Sequence, residues 1–404
     1  MALVPVAEAL DRLLEDVAPL PAETVPLHEG FFRVLAEPLA ALRTQPPFDA
    51  SAMDGYAVRA DDVSAVPARL SVVGTAPAGR GFSGTIAQGQ AVRVFTGAPL
   101  PAGADTIVIQ ENVRDLGDGR IEVLEPTDAN RHVRRAGLDF REGDVLLEKG
   151  RLLDPAALSL AASGNHPAVP VVGRPLVAII ATGDELLPPG SVLGPDQIIS
   201  SNAYGVAAAA RSVGARALDL GIAADRNDAI AALVRKAVEA GAHVIVTLGG
   251  ASVGDHDLVH DVLTGEGMTL DFWKIAMRPG KPLMFGRMGE TRCIGLPGNP
   301  VASLVCLQLF LKPLLAKLGG RPFVQDVREA RLTASMAAND HRQDYIRAVV
   351  RKEPEGLTAA PFGVQDSSML KTLADANGLI VREPHAPPSA AGDNCRVLML
   401  RDPA

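Results

Sequence analysis

Apolar and polar positions change their spacing several times along the chain, and those changes divide it into parts. Residues 6–14 (VAEALDRLL) put apolar side chains at helical spacing and predict an amphipathic helix. A second helix is expected over residues 30–42, before Pro46-Pro47 breaks the pattern. From residue 49 to about 139, short β-type runs at 70–73, 91–95, 106–109 and 121–124 alternate with Gly and Pro turns. That texture predicts a β-rich segment without a long helix. Residues 143–164 read as a short strand, then a helix opening at Asp154-Pro155, a cap residue followed by a first-turn proline.

Between 175 and 320 the rhythm becomes strand, loop, helix. Apolar strands are expected at 176–181, 217–222, 243–248, 272–276, 283–286 and 293–296. Helices are expected at 202–213, 227–240 (capped by Asn227), 255–263 and 301–318. Continuous apolar strands separated by helices imply a parallel-rich sheet covered on both faces. Residues 322–404 return to short strands and turns. The expected fold class is therefore multidomain α/β plus β. A linking domain takes residues 1–45 and 140–174, its first helix packing on the α/β domain. A β-rich inserted domain takes 46–139, a three-layer α/β domain 175–321 and a C-terminal β domain 322–404.

Composition narrows the class. At 404 residues, 47% hydrophobic and 21% charged, the chain is globular and too long for one core. A net charge of -8 speaks against nucleic acid as the main partner. Cys293, Cys306 and Cys395 are odd in number and widely spaced, which suits a reducing compartment. The acidic N-terminus does not look like a secretory signal. The apolar stretch 304–316 is interrupted by Gln308, Lys312 and Pro313, so it is expected to be a buried helix. A cytoplasmic protein, without a membrane span, is the expectation.

In an open parallel sheet, ligands gather at the carboxyl ends of the strands. Three loops fall there. The first holds Thr182, Gly183, Asp184 and Glu185; the second Gly249, Gly250, Ser252, Gly254, Asp255 and Asp257; the third Pro297, Gly298, Asn299 and Pro300. The glycines of the second would let backbone N–H groups approach a phosphate, although a tight strand-to-helix turn needs glycine as well. Glu185, Asp225, Asp255 and Asp257 are each ordinary turn carboxylates. Gathered on one rim beside a phosphate loop, they suggest Mg²⁺ bridging protein and substrate phosphates. Lys274, Arg278 and Lys281, interleaved with aromatic, Pro and Gly residues, suit a walled anion pocket better than a free charged face. Upstream, the Met53-Asp54-Gly55-Tyr56 turn is unusually rich in specific residue types for a linker.

With these motifs in order, the chain resembles the MoeA family, which also forms the E domain of gephyrin. The resemblance rests on residues 51–57 (SAMDGYA), Thr96-Gly97-Ala98, Val133-Arg134 with Gly137 and Asp139, and Thr182-Gly183-Asp184-Glu185-Leu186. It continues through residues 249–254 (GGASVG), Lys274 with Lys281-Pro282, and Leu296-Pro297-Gly298-Asn299-Pro300. It implies molybdenum insertion, in which adenylylated molybdopterin and molybdate give molybdenum cofactor and AMP with Mg²⁺. It also implies a homodimer whose cleft draws on both copies. A molybdopterin adenylyltransferase upstream and cofactor-accepting enzymes downstream are the implied partners.

Carried over by position, Asp54, Thr96, Asp139, Lys274 and Lys281 become the catalytic candidates. Glu185, Asp225 and Asp257 become the metal ligands. Arg278, Arg347 and Ser368 join the strand-end loops in binding substrate, the cations and Ser368 serving molybdate. Ala50 and Leu138 stand where polar residues are expected, and Arg278 where lysine is common. Ala302 stands where the family commonly has a serine; if that hydroxyl contacts molybdate, the anion site here is modified or neighbouring Ser303 substitutes. Two rival readings are an adenylyltransferase, which needs only the α/β domain, and a non-catalytic molybdopterin-binding scaffold.

Overall fold

The computed structural model describes residues 3–249 and 258–403. They form two compact units, one of residues 3–23 with 172–403 and the other Thr24–Val171.

The first unit is built on a six-stranded sheet in the order Arg216–Ala223, Leu176–Thr182, Val244–Leu248, Thr291–Leu296, Pro282–Met288, Thr269–Lys274. The first four strands are parallel, Pro282–Met288 runs antiparallel to them, and Thr269–Lys274 runs antiparallel to Pro282–Met288. The sheet is therefore parallel at its centre and carries an antiparallel edge. Its second strand, Leu176–Thr182, has no polar residue before Thr182 because it is buried on both sides. Val177, Ile179 and Ala181 enter one core, and Ala178 and Ile180 the other. Helices Asn202–Ser212 and Pro300–Leu318 cover the first face, together with the N-terminal helix Val6–Leu14. Its Ala9 and Leu13 are fully buried there, and burial of a leucine side chain contributes about 2 kcal/mol. Helices Asn227–Glu239 and Leu258–Gly265 cover the other face.

One helix expectation needs correction here. Arg226, not Asn227, is the cap of Asn227–Glu239, and no side chain accepts a capping hydrogen bond there. Pro313 does not end the helix that starts at Pro300. A π-helical segment, Leu307–Leu311, widens the helix just ahead of the proline, which lacks an N–H, and the helix runs on to Leu318. At 19 residues it is long and apolar enough to cross a membrane. Its place is nonetheless the protein interior, since 78% of its apolar window is buried.

The same unit carries a small barrel. Strand Gln343–Glu353 pairs with both Gly356–Pro361 and Gly378–Arg382, so with Val327–Leu332 and Asn394–Met399 the sheet closes. Closure leaves these five strands no free edge. The short strand Met277–Arg278 adds alongside Gln343 and Asp344.

The second unit holds another six-stranded sheet, ordered Thr106–Ile109, Gly55–Val58, Gln90–Val94, Ala68–Ala76, Arg120–Val123, Val113–Gly117. Helix Pro155–Ser163 begins as expected, with Asp154 Oδ1 accepting from the Ala157 N–H at 2.8 Å. The helix expected over 30–42 does not form. Phe32 takes a φ of 62°, and Val34 and Leu35 instead make bridges to Leu152 and Val171. The apolar spacing there serves an extended chain pressed between neighbours.

Candidate functional site

The first and third strand-end loops, with Gly249 at the head of the second, meet around a cleft of about 800 Å³ in the first unit. Thr182, Gly183, Glu185, Asp225, Gly249 and residues 297–300 line it, and Ser368 reaches it from the barrel. Glycine is required at two of these positions. Gly183 has φ 148°, and a β-carbon there would lie 2.5 Å from Glu185 Oε2, so the missing side chain lets the Glu185 carboxylate fold back. Gly249 has φ 94°, and its β-carbon would meet the Thr182 carbonyl oxygen at 2.7 Å. Beside them the Thr182 hydroxyl is buried without a hydrogen-bond partner among the described residues. An unsatisfied buried hydroxyl costs about 1–3 kcal/mol, which a polar ligand group would relieve.

The third loop is fixed from two sides. The Asn202 side-chain amide donates to the Gly298 carbonyl at 2.8 Å, and the Asn299 amide donates to Ser367 Oγ at 2.9 Å. Ser367 also accepts from the Val301 N–H through its carbonyl at 3.1 Å. Ser200, Ser201 and Asn202 line the cleft although sequence reasoning did not select them. Their signal was present, since cap-type residues stand immediately before a helix. Asp184, by contrast, does not line it. Its carboxylate accepts from the Asp225 N–H at 3.0 Å and so fixes the turn that carries Asp225.

Glu185 and Asp225 bring carboxylates to the same cleft. Among the described residues no group of three or more His, Cys, Asp or Glu forms a complete metal cage. Two hard oxygen donors beside an open cleft suit Mg²⁺, which commonly relies on one or two carboxylates, water and substrate phosphates. Gly250, Ser252, Gly254, Asp255 and Asp257 lie outside the described residues.

The cations divide into two groups. Lys274 ends the edge strand opposite Pro282, so Lys274 and Lys281 stand at the same end of the sheet as the cleft. Neither has an ion-pair partner among the described residues. Arg278 instead pairs with Asp344, and with Asp340 at 3.4 Å. The hydrogen bond that it donates to Asp344, ahead of the nearby carboxylate charges, stabilises its protonated form.

Arg347, expected to meet molybdate, is only 1% exposed. Its guanidinium donates to Gln365 Oε1 at 3.0 Å and to the Asp366 carbonyl at 2.8 Å. It therefore holds the loop that carries Ser368 and is not open to an oxyanion. Ser368 in turn donates through its hydroxyl to Asp366 Oδ1 at 2.6 Å. Ser303, the neighbour of Ala302, is fully buried and is not among the residues that line the cleft.

In the second unit, Asp54 and Thr96 form a couple. One carboxylate oxygen of Asp54 accepts from the Thr96 N–H at 2.8 Å and from its hydroxyl at 2.9 Å. These bonds, the backbone one foremost, hold the Asp54 carboxyl below the usual carboxylate range. Asp139 is exposed, its N–H bonded to the Gln45 carbonyl at 3.0 Å.

Comparison with known proteins covers nearly the whole chain. Residues 4–164 match the MoeA N-terminal region (domain I and II), 178–317 a probable molybdopterin binding domain, and 329–400 the MoeA C-terminal region (domain IV). The chain is 38% identical to molybdopterin molybdenumtransferase 2 of Mycobacterium tuberculosis, over 88% of this chain and 90% of that one. It is 34% identical to the molybdopterin molybdenumtransferase of Haemophilus influenzae, over 96% and 97%. A solved structure of the molybdopterin biosynthesis MoeA protein from Pyrococcus horikoshii superposes with a TM-score of 0.84 at 30% identity, covering 99% of this chain and 100% of that one.

Proposed function

The chain belongs to the MoeA family, and from that premise we propose that it inserts molybdenum from molybdate into adenylylated molybdopterin, releasing AMP in a Mg²⁺-dependent reaction. It is a transferase of molybdenum cofactor biosynthesis. The observation that carries the finer reading is the cleft itself. Two carboxylates, a buried threonine hydroxyl and two glycine-dependent backbone approaches line one concave surface, which suits a polyanionic ligand bridged to the carboxylates by Mg²⁺.

Glu185 and Asp225 would hold Mg²⁺ against the pyrophosphate of the substrate. Bound there, the ion supplies charge neutralisation as the phosphoanhydride opens. The Thr182 hydroxyl and the backbone at Gly249 and Gly298 orient the phosphates, while Asn299 is held in place by Ser367. Lys274 and Lys281, without carboxylate partners among the described residues, attract molybdate as substrate. Water attacks the adenylate phosphorus, its bond to the bridging oxygen of the pterin phosphate breaks and AMP leaves, while the two dithiol sulfurs bond to molybdenum and one molybdate oxygen departs as water with the two thiol protons. No nucleophilic side chain is needed. In a homodimer, Asp54, Thr96 and Asp139 of one copy would serve the cleft of the other.

Reconstitution tests this reading. The purified chain with adenylylated molybdopterin, molybdate and Mg²⁺ should activate a cofactor-free molybdoenzyme. Failure to do so, with conversion of ATP and molybdopterin to the adenylylated product, would make the chain an adenylyltransferase instead.

A further inference from the structure

Arg93 lies directly opposite Tyr56 in the antiparallel pairing of Gly55–Val58 with Gln90–Val94. Its guanidinium carbon sits 5.0 Å from the Tyr56 ring centre and 5.2 Å from that of Phe95. One nitrogen donates to the Gly55 carbonyl at 3.2 Å, and another donates to Gln110 Oε1 at 2.6 Å. The Gln110 N–H in turn donates to the Asp54 carbonyl at 3.2 Å. A single side chain thus grips Gly55, the residue after Asp54, and Phe95, the residue before Thr96. It also grips the residue that hydrogen-bonds the Asp54 backbone.

Gly55 leaves this arrangement little slack. A β-carbon there would lie 2.1 Å from the Val108 carbonyl, so the chain at 55 is pressed against its neighbouring strand. The Asp54–Thr96 couple therefore stands on two chain ends that share one clamp. One Asp54 oxygen is committed to Thr96, and the other has no hydrogen-bond partner among the described residues. A ligand could reach only that second oxygen, and its direction depends on how firmly both chain ends are held.

We propose that Arg93 is a positioning residue for turnover, acting through the Asp54–Thr96 couple and not through contact with substrate. This rests on the reading above that Asp54 takes part in the reaction. The planar fork matters more than the charge, because a lysine cannot reach the Gly55 carbonyl and Gln110 together while lying across two rings.

The test uses the full chain and molybdate-dependent AMP release, with Arg93→Met, Arg93→Lys, Asp54→Asn and the Arg93→Met/Asp54→Asn double variant. Misplacement of a reacting group by about 1 Å can cost on the order of 10²-fold in rate. Arg93→Met and Arg93→Lys should each lower kcat by about tenfold or more, with KM for adenylylated molybdopterin within about twofold. Arg93→Lys should keep its thermal midpoint, so that loss of fold is excluded as the cause. In the Asp54→Asn background, Arg93→Met should have almost no further effect, since the two act as a unit. Asp54→Glu serves as the background if Asp54→Asn leaves no measurable rate. Additive losses in the double variant, full activity of Arg93→Lys, or a change confined to KM would overturn the proposal. Full activity of Asp54→Asn would overturn instead the reading on which it rests.

Discussion

Gly249 and Thr182 approach so closely that a β-carbon on the glycine would lie 2.7 Å from the threonine carbonyl oxygen. The contact joins the ends of two neighbouring parallel strands and forms part of the cleft floor. Gly249 also has φ 94°, a conformation that L side chains rarely adopt. Gly249→Ala should therefore cost about 1–3 kcal/mol in stability from backbone strain. Its rate of AMP release should fall at least about tenfold, since the floor must shift. Urea unfolding with a parallel activity assay checks both, and an unchanged rate would mean that the floor does not contact substrate.

Arg347 is predicted to act on stability before chemistry. Hydrogen bonds from a buried charged group contribute about 1.5–3 kcal/mol each, so Arg347→Met should lose about 2–4 kcal/mol on urea unfolding. The loop carrying Ser368 should loosen with it, visible as faster amide exchange at residues 365–369. A variant of wild-type stability that had lost only its response to molybdate would instead make Arg347 a direct anion contact.

Asp225→Ala should abolish Mg²⁺-dependent AMP release and leave the fold intact, because the side chain faces the cleft and not a core. The circular dichroism spectrum and thermal midpoint should match the parent within experimental scatter. Retention of the parent rate across a Mg²⁺ titration would remove Asp225 from the metal site.

Acid stability depends in part on the barrel's Asp340. The Arg342 side chain, then its N–H, holds this carboxyl well below its ordinary value of 3.8. A depressed folded-state pKa gives stability that is present above the unfolded value and lost as pH falls through the folded one. The difference in thermal midpoint between the parent and Asp340→Asn should thus be largest above about pH 5 and shrink towards pH 2. A difference independent of pH would show that the carboxylate's charge contributes nothing.

Much of this architecture was legible because burial on both faces leaves a plain mark. The run 106–109 is a strand at those residues, and Leu176–Thr182 exceeds its expected span by one residue. The strand-end loops also converge as the rhythm implied, since parallel strands must deliver their carboxyl ends to one rim. Residues 30–42 misled because Phe31, Phe32, Val34 and Leu35 have helix-like spacing, while their partners at 152 and 171 are remote in sequence. The cations misled for a related reason. A sequence shows that Arg278 and Arg347 are charged, but not that Asp344 and Gln365 already engage them. Ser200 and Ser201 stand just before a helix, and only the folded chain shows the cleft that they face.

The most direct measurement is AMP release from adenylylated molybdopterin by the purified chain with Mg²⁺, with and without molybdate. The account predicts release that rises with molybdate, reaches saturation and yields active cofactor. Equal release with and without molybdate, or none under either condition, would contradict molybdenum insertion as the reaction of this cleft.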